Sequence, residues 1–475
     1  MKKLITLYGL ILLGLTLHSC DALLDITPKS SITGQVFWQN EGDFYPYMTG
    51  IYNRYRSHID YLGFSEDRSE MWKQGYNARF TPFWAHNIIP GNTVEWTGYY
   101  GTIGHVNLLL SRIEPFQFAN TTMKNRIMAE AHAMRAAMYF YIARVYGDVP
   151  LVLDPVENEN EPLYPRAPVS QVFQQINSDI EQALSLFPEN GYPNKFRWTK
   201  PAVYALLADV KMWSASVLGG GVADYNAAIA AITEVENSGV SLLTEYGDIF
   251  DESRNNEIIM SFYLDRSEYS SGQYNNALLR FDTSQGADNA SELPMALAGQ
   301  QAYTLSDRAL ELFATHTNDL RIPRTYIPEI YNGVVANYWP NKFIGTQYTD
   351  TRIADSDIIL YRLSDLLLLK AEAYAALGQS ETALLNLNKV RARAGLPNFT
   401  EMDQSILLEE ILDERGRELF HEFKRWYDLR RAHAIGVVDL YEYIPNLNGL
   451  NTPLYWPVHL NMIARNELLV QTDGY

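Results

Sequence analysis

Cysteine is almost missing from this chain, which has one in 475 residues, Cys20. Without a second thiol there is no internal disulfide and no cysteine-rich zinc site, so stability must come from a packed core. A chain of this length buries most of its surface on folding, which makes such a core attainable. Positive charge is scarce as well: 38 Lys and Arg stand against 56 Asp and Glu, a net charge of -18. That balance argues against nucleic acid, whose binding depends on basic surface that releases counterions. It also argues against lying flat on an anionic membrane. Past residue 19 long apolar runs are missing. The most apolar one, Leu366 to Leu369, is fenced by Arg362, Asp365 and Lys370, far short of the roughly 20 residues of a spanning helix. Catalytic and cofactor motifs are missing too. The sequence has no His-Glu-x-x-His, no nucleophile elbow, no phosphate-binding glycine loop and no metal-ligand spacing, so neither an enzyme nor a bound cofactor or metal is expected. Carboxylates that could serve a glycosidase are present, but among 56 acids their presence carries no information.

What the chain does have begins at its first residues. Lys2 and Lys3 precede an apolar stretch, Leu4 to Leu17, that ends in His18-Ser19-Cys20. A short positive segment, a short apolar segment and a small residue before the cysteine follow the grammar of an export signal. The Leu-His-Ser-Cys segment resembles a bacterial lipobox, which implies cleavage before Cys20 and acylation of its thiol. Two or more acyl chains anchor stably where one does not. Loss of the two lysines takes the net charge from -18 to about -20, which keeps the exported chain strongly acidic.

Most of the remaining chain reads as helix. Phe173, Ile176, Ile180, Leu184 and Phe187 recur at steps of three and four and stop at Pro188, an amphipathic helix from Gln171 to Phe187. Ala129 to Tyr146 carries alanines among aromatics, and small residues on one face let a neighbouring helix come close. In Leu366 to Gly395, Tyr374, Gly378 and Ala383 fall where tetratricopeptide repeats place a tyrosine, a turn glycine and a small packing residue. Fainter echoes lie at Ala202 to Trp213 and Tyr225 to Ile232. The expected fold is mainly α, a tetratricopeptide-like scaffold of helical hairpins with long aromatic loop insertions. Trp96, Tyr99, Ile103 and Leu110 share a helix face and read as core. In Glu414 to Arg431 the pairs Glu414–Arg417, Glu422–Arg425 and Asp428–Arg431 stand at i,i+3 spacing, which reads as a structural ion-pair lattice rather than an anion site.

The insertions at Tyr61 to Tyr100, Ser261 to Pro294 and Tyr326 to Asp350 are rich in Tyr, Trp, Asn, Gly and Pro and lack helical period. Aromatics are the abundant class in this chain, with 32 Tyr, 19 Phe and 9 Trp. A sugar ring shows C–H groups on one face and hydroxyls at its edge, so it needs an aromatic platform with amide or guanidinium donors at the rim. Trp72, Tyr76, Arg79, Trp84, Tyr269, Tyr274, Tyr338 and Trp339 supply these types, beside Asn77, Asn87, Gln273 and Asn337. They are the candidate ligand-binding residues, although packing within the loops fits the same pattern.

Six blocks then carry a family resemblance. AEAHAMRAAMYFYIARVYGDVP (129–150), RAPVSQVFQQINSDIEQAL (166–184) and RWTKPAVYALLADVKMW (197–213) come first. ILYRLSDLLLLKAEAYAALG with LNKVRARAGLP, then ERGRELFHEFKRWYDLRR (414–431) and the tail LYWPVHLNMIARNELLVQTDGY follow. In this order they resemble the SusD/RagB family of nutrient-uptake lipoproteins. Phe423 stands where that family has a glycine, Leu363 and Ser364 replace its Tyr-Ala, and Glu467 and Thr472 break its terminal pairs. The resemblance implies a signal peptide at 1–19, an N-terminal region at 20–235 and a C-terminal region at 236–475 packed with it as one unit. It further implies a lipoprotein anchored in the outer membrane through Cys20 and facing the cell exterior. Such a protein binds a nutrient, usually an oligosaccharide and in some relatives a peptide, and passes it to a SusC-like TonB-dependent transporter. A second reading stays open from the repeats alone: a tetratricopeptide-type scaffold lipoprotein that holds peptides or protein partners.

Overall fold

Where the sequence shows helical period, the chain forms helices stacked on their neighbours. The computed structural model describes residues 37–59, 62–75, 81–155, 162–268, 286–293, 303–349 and 352–475. Among them stand α1 (Phe44–Ile59), α2 (Thr97–Ile113), α3 (Thr121–Tyr146), α4 (Val169–Leu186), α5 (Lys200–Val217) and α6 (Gly221–Glu236). After these come α7 (Asp307–Ala314), α8 (Leu363–Ala376), α9 (Ser380–Arg393), α10 (Gln404–Glu418) and α11 (Arg425–Ala434). Each of α1 to α5 packs on the next in the chain; α6 then packs on α8, and α8 on both α9 and α10. The hairpins α5–α6 and α8–α9, distant in sequence, are thus neighbours in one continuous row, as the tetratricopeptide pattern requires.

Local signals set the helix ends. The Asn120 side chain accepts from Met123 N at the start of α3, Thr199 from Ala202 N at α5, and Asp403 from Ser405 N and Ile406 N at α10. Each satisfies an N–H that a helix leaves without an internal partner. Helix α3 ends at Gly147, whose φ of 71° is unfavourable for any residue with a Cβ. A Cβ there would also meet the Tyr455 ring at 3.4 Å. Alanines 129, 131, 133, 136, 137 and 143 of α3 are all buried, which lets α2 and α4 approach. Trp96, Tyr99 and Ile103 are buried too, and Leu110 packs half-buried on the same core.

Strands occupy the insertions as two-stranded antiparallel ladders. These are β1 (Trp72–Gln74) with β5 (Tyr303–Leu305), β2 (Val149–Pro150) with β3 (Arg166–Ala167), and β4 (Ile258–Phe262) with β10 (Ile358–Arg362). The hairpin β6 (Tyr326–Tyr331) and β7 (Val334–Pro340), and the pair β8 (Thr346–Gln347) and β9 (Arg352–Ile353), complete the set among the described residues.

The ion-pair lattice is present, with one change of partners. Arg417 Nη2 lies 2.8 Å from Glu414 and Arg431 Nη2 2.7 Å from Asp428, the two i,i+3 pairs expected. Glu422 and Arg425 do not pair. The expected helix over Glu414 to Arg431 stops at Glu418 and restarts at Arg425, and between them His421 and Phe423 take φ of 62° and 61°. Residues 422 and 425 therefore share no helix face. Arg425 Nε donates instead to Glu70 at 2.9 Å, while Glu422 accepts from Lys342 at 2.8 Å and from Arg362 Nε at 2.7 Å. The left-handed φ of Phe423 also accounts for the glycine that the family places there.

Candidate functional site

The loop before β1 is built from charge turned inward. Ser65, Glu66, Asp67, Arg68, Ser69 and Glu70 are all buried, where a run of this composition is ordinarily solvated. Each charged member has a partner reached across the fold. Glu66 accepts from Lys424 N at 3.2 Å and from Trp72 Nε1 at 3.4 Å, and Asp67 accepts from the Tyr303 hydroxyl at 2.8 Å. The Arg68 guanidinium lies 3.9 Å from the centre of the Trp426 ring. Burial pushes the Glu66 carboxyl up to about 7 and the Asp67 carboxyl up to about 6. Raised carboxyls are a usual mark of acid–base catalysis, but these two are sealed beneath β1 and serve to hold it.

Above this anchor lies a small apolar floor of Met71, Trp72, Tyr303, Leu305, Ala309, Leu312 and Phe420, with Trp84, Tyr326 and Tyr338 packed half-buried against it. Trp84 is fixed through its indole N–H, which donates to the Trp72 carbonyl at 3.0 Å, and through its own carbonyl, which accepts from Asn446 at 3.2 Å. The Tyr338 ring meets Tyr326 edge-on at 5.4 Å, and the Thr304 hydroxyl donates to the Tyr338 carbonyl at 2.8 Å. Thr304 and Asn337 side chains also meet at 2.8 Å, which ties β5 to β7. The result is a preformed aromatic ledge, with Lys73, Gln74 and Asn337 near it as polar groups. Such a ledge can stack an apolar sugar face and meet hydroxyls at its rim.

The candidate residues separate accordingly. Trp84 and Tyr338 are half-buried at the edge of this floor. Trp72 is 3 % exposed, with Phe420 against it at 4.9 Å and His421 at 5.0 Å, so its ring supports the ledge from below. Trp339 is 1 % exposed and donates to Glu329 at 2.9 Å among Ala287, Leu293 and Ile327. Successive strand residues point to opposite faces, so Tyr338 and its neighbour Trp339 cannot share one ligand. Tyr76, Arg79, Tyr269, Tyr274 and Cys20 lie outside the described residues, as do Asn77 and Gln273. Sequence reasoning missed the buried Glu66–Glu70 anchor, because its partners Tyr303, Lys424 and Arg425 are hundreds of residues away. Among the described residues no group of three or more His, Asp or Glu could hold a metal ion, and no helix is long and apolar enough to cross a membrane.

Comparison with known proteins agrees with this architecture. Two family models match, the SusD family over residues 281–475 and a family described as starch-binding, associating with outer membrane, over residues 47–212. SusD-like protein P38 of Formosa agariphila is 27 % identical, with the whole of both chains covered. The starch-binding protein SusD of Bacteroides thetaiotaomicron is 24 % identical over 100 % of this chain and 99 % of its own. Among solved structures, NanU of B. fragilis superposes with a TM-score of 0.81 at 26 % identity, covering 95 % of this chain and 100 % of that one. A structure titled as a laminarin binding SusD-like protein shares the fold, with a TM-score of 0.75 at 22 % identity over 92 % of this chain and 100 % of that one. With matching blocks in both halves and one architecture throughout, the chain belongs to the SusD family.

Proposed function

We propose that this protein is an outer-membrane lipoprotein, anchored through Cys20 and facing outward, that binds an oligosaccharide and delivers it to a SusC-like TonB-dependent transporter. One relative is named for starch and one structure for laminarin, which supports a glycan as the ligand class. The observation that carries the reading is the Trp84–Tyr338 ledge, where two half-buried aromatic residues sit on a floor that leaves the rings little freedom to move. A rigid platform binds without the entropic cost of ordering loose side chains. The proposed work is capture rather than chemistry, a reading that the burial of the raised Glu66 and Asp67 carboxyls supports.

Losing one stacking ring removes about 0.5–1.5 kcal/mol beyond its area. Trp84→Ala and Tyr338→Ala are each expected to weaken glycan binding about tenfold, read by titration with soluble polysaccharides. Affinity unchanged by both variants contradicts the ledge as the contact surface. The scaffold alternative draws on Leu385, Met402 and Ile406, which are apolar and exposed around α9 and α10. The same titration, run with peptides and showing binding only there, would favour it.

A further inference from the structure

A second feature lies apart from the ledge. Helix α1, the turn before Trp198 and the end of β4 enclose an open cleft of about 550 Å³, inside the roughly 300–1,000 Å³ of ordinary ligand sites. Thr49, Gly50, Asn53, Phe196, Tyr263 and Glu268 line it. We infer that this cleft is a second carbohydrate subsite, one that takes an uncharged pyranose ring. The inference rests on the carbohydrate reading above and adds a location that the ledge does not supply.

Phe196 and Tyr263 carry it. Their centroids lie 5.3 Å apart with the rings inclined at 54°, a V-shaped seat, and Tyr263 is 43 % exposed. An aromatic of that size in the open, packed on a second ring in the wall of the cleft, gives a face on which a sugar ring can stack. The seat is braced from behind. The Arg254 guanidinium lies 5.3 Å from the centre of the Phe196 ring, and Phe196 N donates to the Asn194 side chain at 2.8 Å. The Tyr263 hydroxyl donates to Asp265 at 3.2 Å. The three walls are also bonded to one another, Ser261 N to the Lys195 carbonyl at 3.0 Å and Trp198 N to the Tyr52 hydroxyl at 2.8 Å. The cleft therefore exists before any ligand arrives.

Its polar edge selects a neutral ring. Arg56 donates to the Tyr263 carbonyl at 2.7 Å and to Asn53 Oδ1 at 2.8 Å, and it faces Glu268 at 3.7 Å. The charges offset each other, and the Arg56 contact turns the Asn53 amide so that its N–H groups remain for a sugar hydroxyl. Gly50 adds an independent point. A glycine within a helix is less stable than alanine, and a Cβ at Gly50 would meet no atom within 4 Å. Packing does not require glycine here, whereas a ligand in the cleft would use the space.

The test uses saturation-transfer NMR on the intact exported chain with four neutral probes, the methyl glycosides of α-glucose, β-glucose, galactose and mannose. Transfer to the ring C–H protons of at least one probe is expected, falling threefold or more in both Tyr263→Ala and Gly50→Leu. Both positions are exposed, and unchanged melting temperatures will confirm that the variants fold. Trp84→Ala with Tyr338→Ala should leave the part of the transfer that belongs to the cleft. Transfer that survives both cleft variants but vanishes in the ledge variant overturns this inference alone. No transfer from any probe to the unaltered protein overturns it together with the carbohydrate reading.

Discussion

Arg362→Met is expected to destabilise the fold by about 3–5 kcal/mol, the usual cost of leaving buried charge without its partner. Arg362 closes β10 at 1 % exposure. Its Nε donates to Glu422 at 2.7 Å, Nη1 to Glu257 at 2.9 Å and also to Glu418, and Nη2 to the Glu418 carbonyl at 2.8 Å. Three buried carboxylates thus share one guanidinium. Arg321, Arg393 and Lys342 share the same acids, but they cannot replace the lost charge without leaving their own positions. Methionine fills much of the volume, so the loss reports charge rather than a cavity. Arg362→Lys keeps the charge but not the planar fork, and is expected to fall between the two. Adding Glu422→Gln to Arg362→Met should recover part of the loss, because one uncompensated anion is removed. Urea unfolding midpoints decide the matter, and a change below about 1 kcal/mol for Arg362→Met would sink the account of this lattice.

Acid should unfold the protein abruptly below about pH 4.5, after a flat region between about pH 5 and 6.5. Burial, aided by Arg68 at His86 and by Lys342 at His421, lowers both imidazoles to about 3. Their folded pKa lies below the unfolded value of about 6.5, so the unfolded chain takes up more protons as pH falls and stability declines. Glu66 and Asp67 act oppositely. Raised to about 7 and about 6, they bind protons in the folded state that the unfolded chain does not yet hold, which adds stability as pH falls through that window. These two pairs oppose each other until Glu66 and Asp67 are protonated in both states. Below that point the balance breaks. Burial alone would raise Glu414 and Asp365, but their arginine and lysine partners outweigh it and hold both at about 2. These carboxylates lose stability as pH falls, in the same direction as the histidines. Four protons taken up on unfolding amount to about 5 kcal/mol per pH unit. Glu66→Gln with Asp67→Asn should remove the flat region, so that the decline starts near pH 6.5. Unfolding free energies measured from pH 3.5 to 7 check this, and a uniform slope across that range contradicts it.

How much of this was legible in the sequence depended on the range of each interaction. Helices α3, α4 and α8–α9 follow from spacing three and four residues apart, and so do the Glu414–Arg417 and Asp428–Arg431 pairs. Glu422–Arg425 had the same spacing and failed because His421 and Phe423 turn left-handed between two helices. A local pattern cannot foresee a break that is stabilised by contacts from Trp72 and Phe343. The aromatic loops show the same limit. Residue types pointed to Trp72, Trp84, Tyr338 and Trp339, and only the strand alternation and the packing on the floor separate the half-buried Trp84 and Tyr338 from the covered Trp72 and Trp339. The cleft at Phe196 and Tyr263 was beyond reach, since its walls come from three distant segments and neither residue belongs to a motif.

The central claim, that this protein captures glycan without altering it, is tested most directly by isothermal titration of the exported chain with a panel of soluble polysaccharides that includes starch and laminarin fragments. Saturable heat for at least one of them, with a dissociation constant between about 1 μM and 1 mM and a steady baseline after each injection, is the predicted result. Flat traces across the panel would contradict capture, and heat that continues between injections would reveal turnover and contradict a binding role.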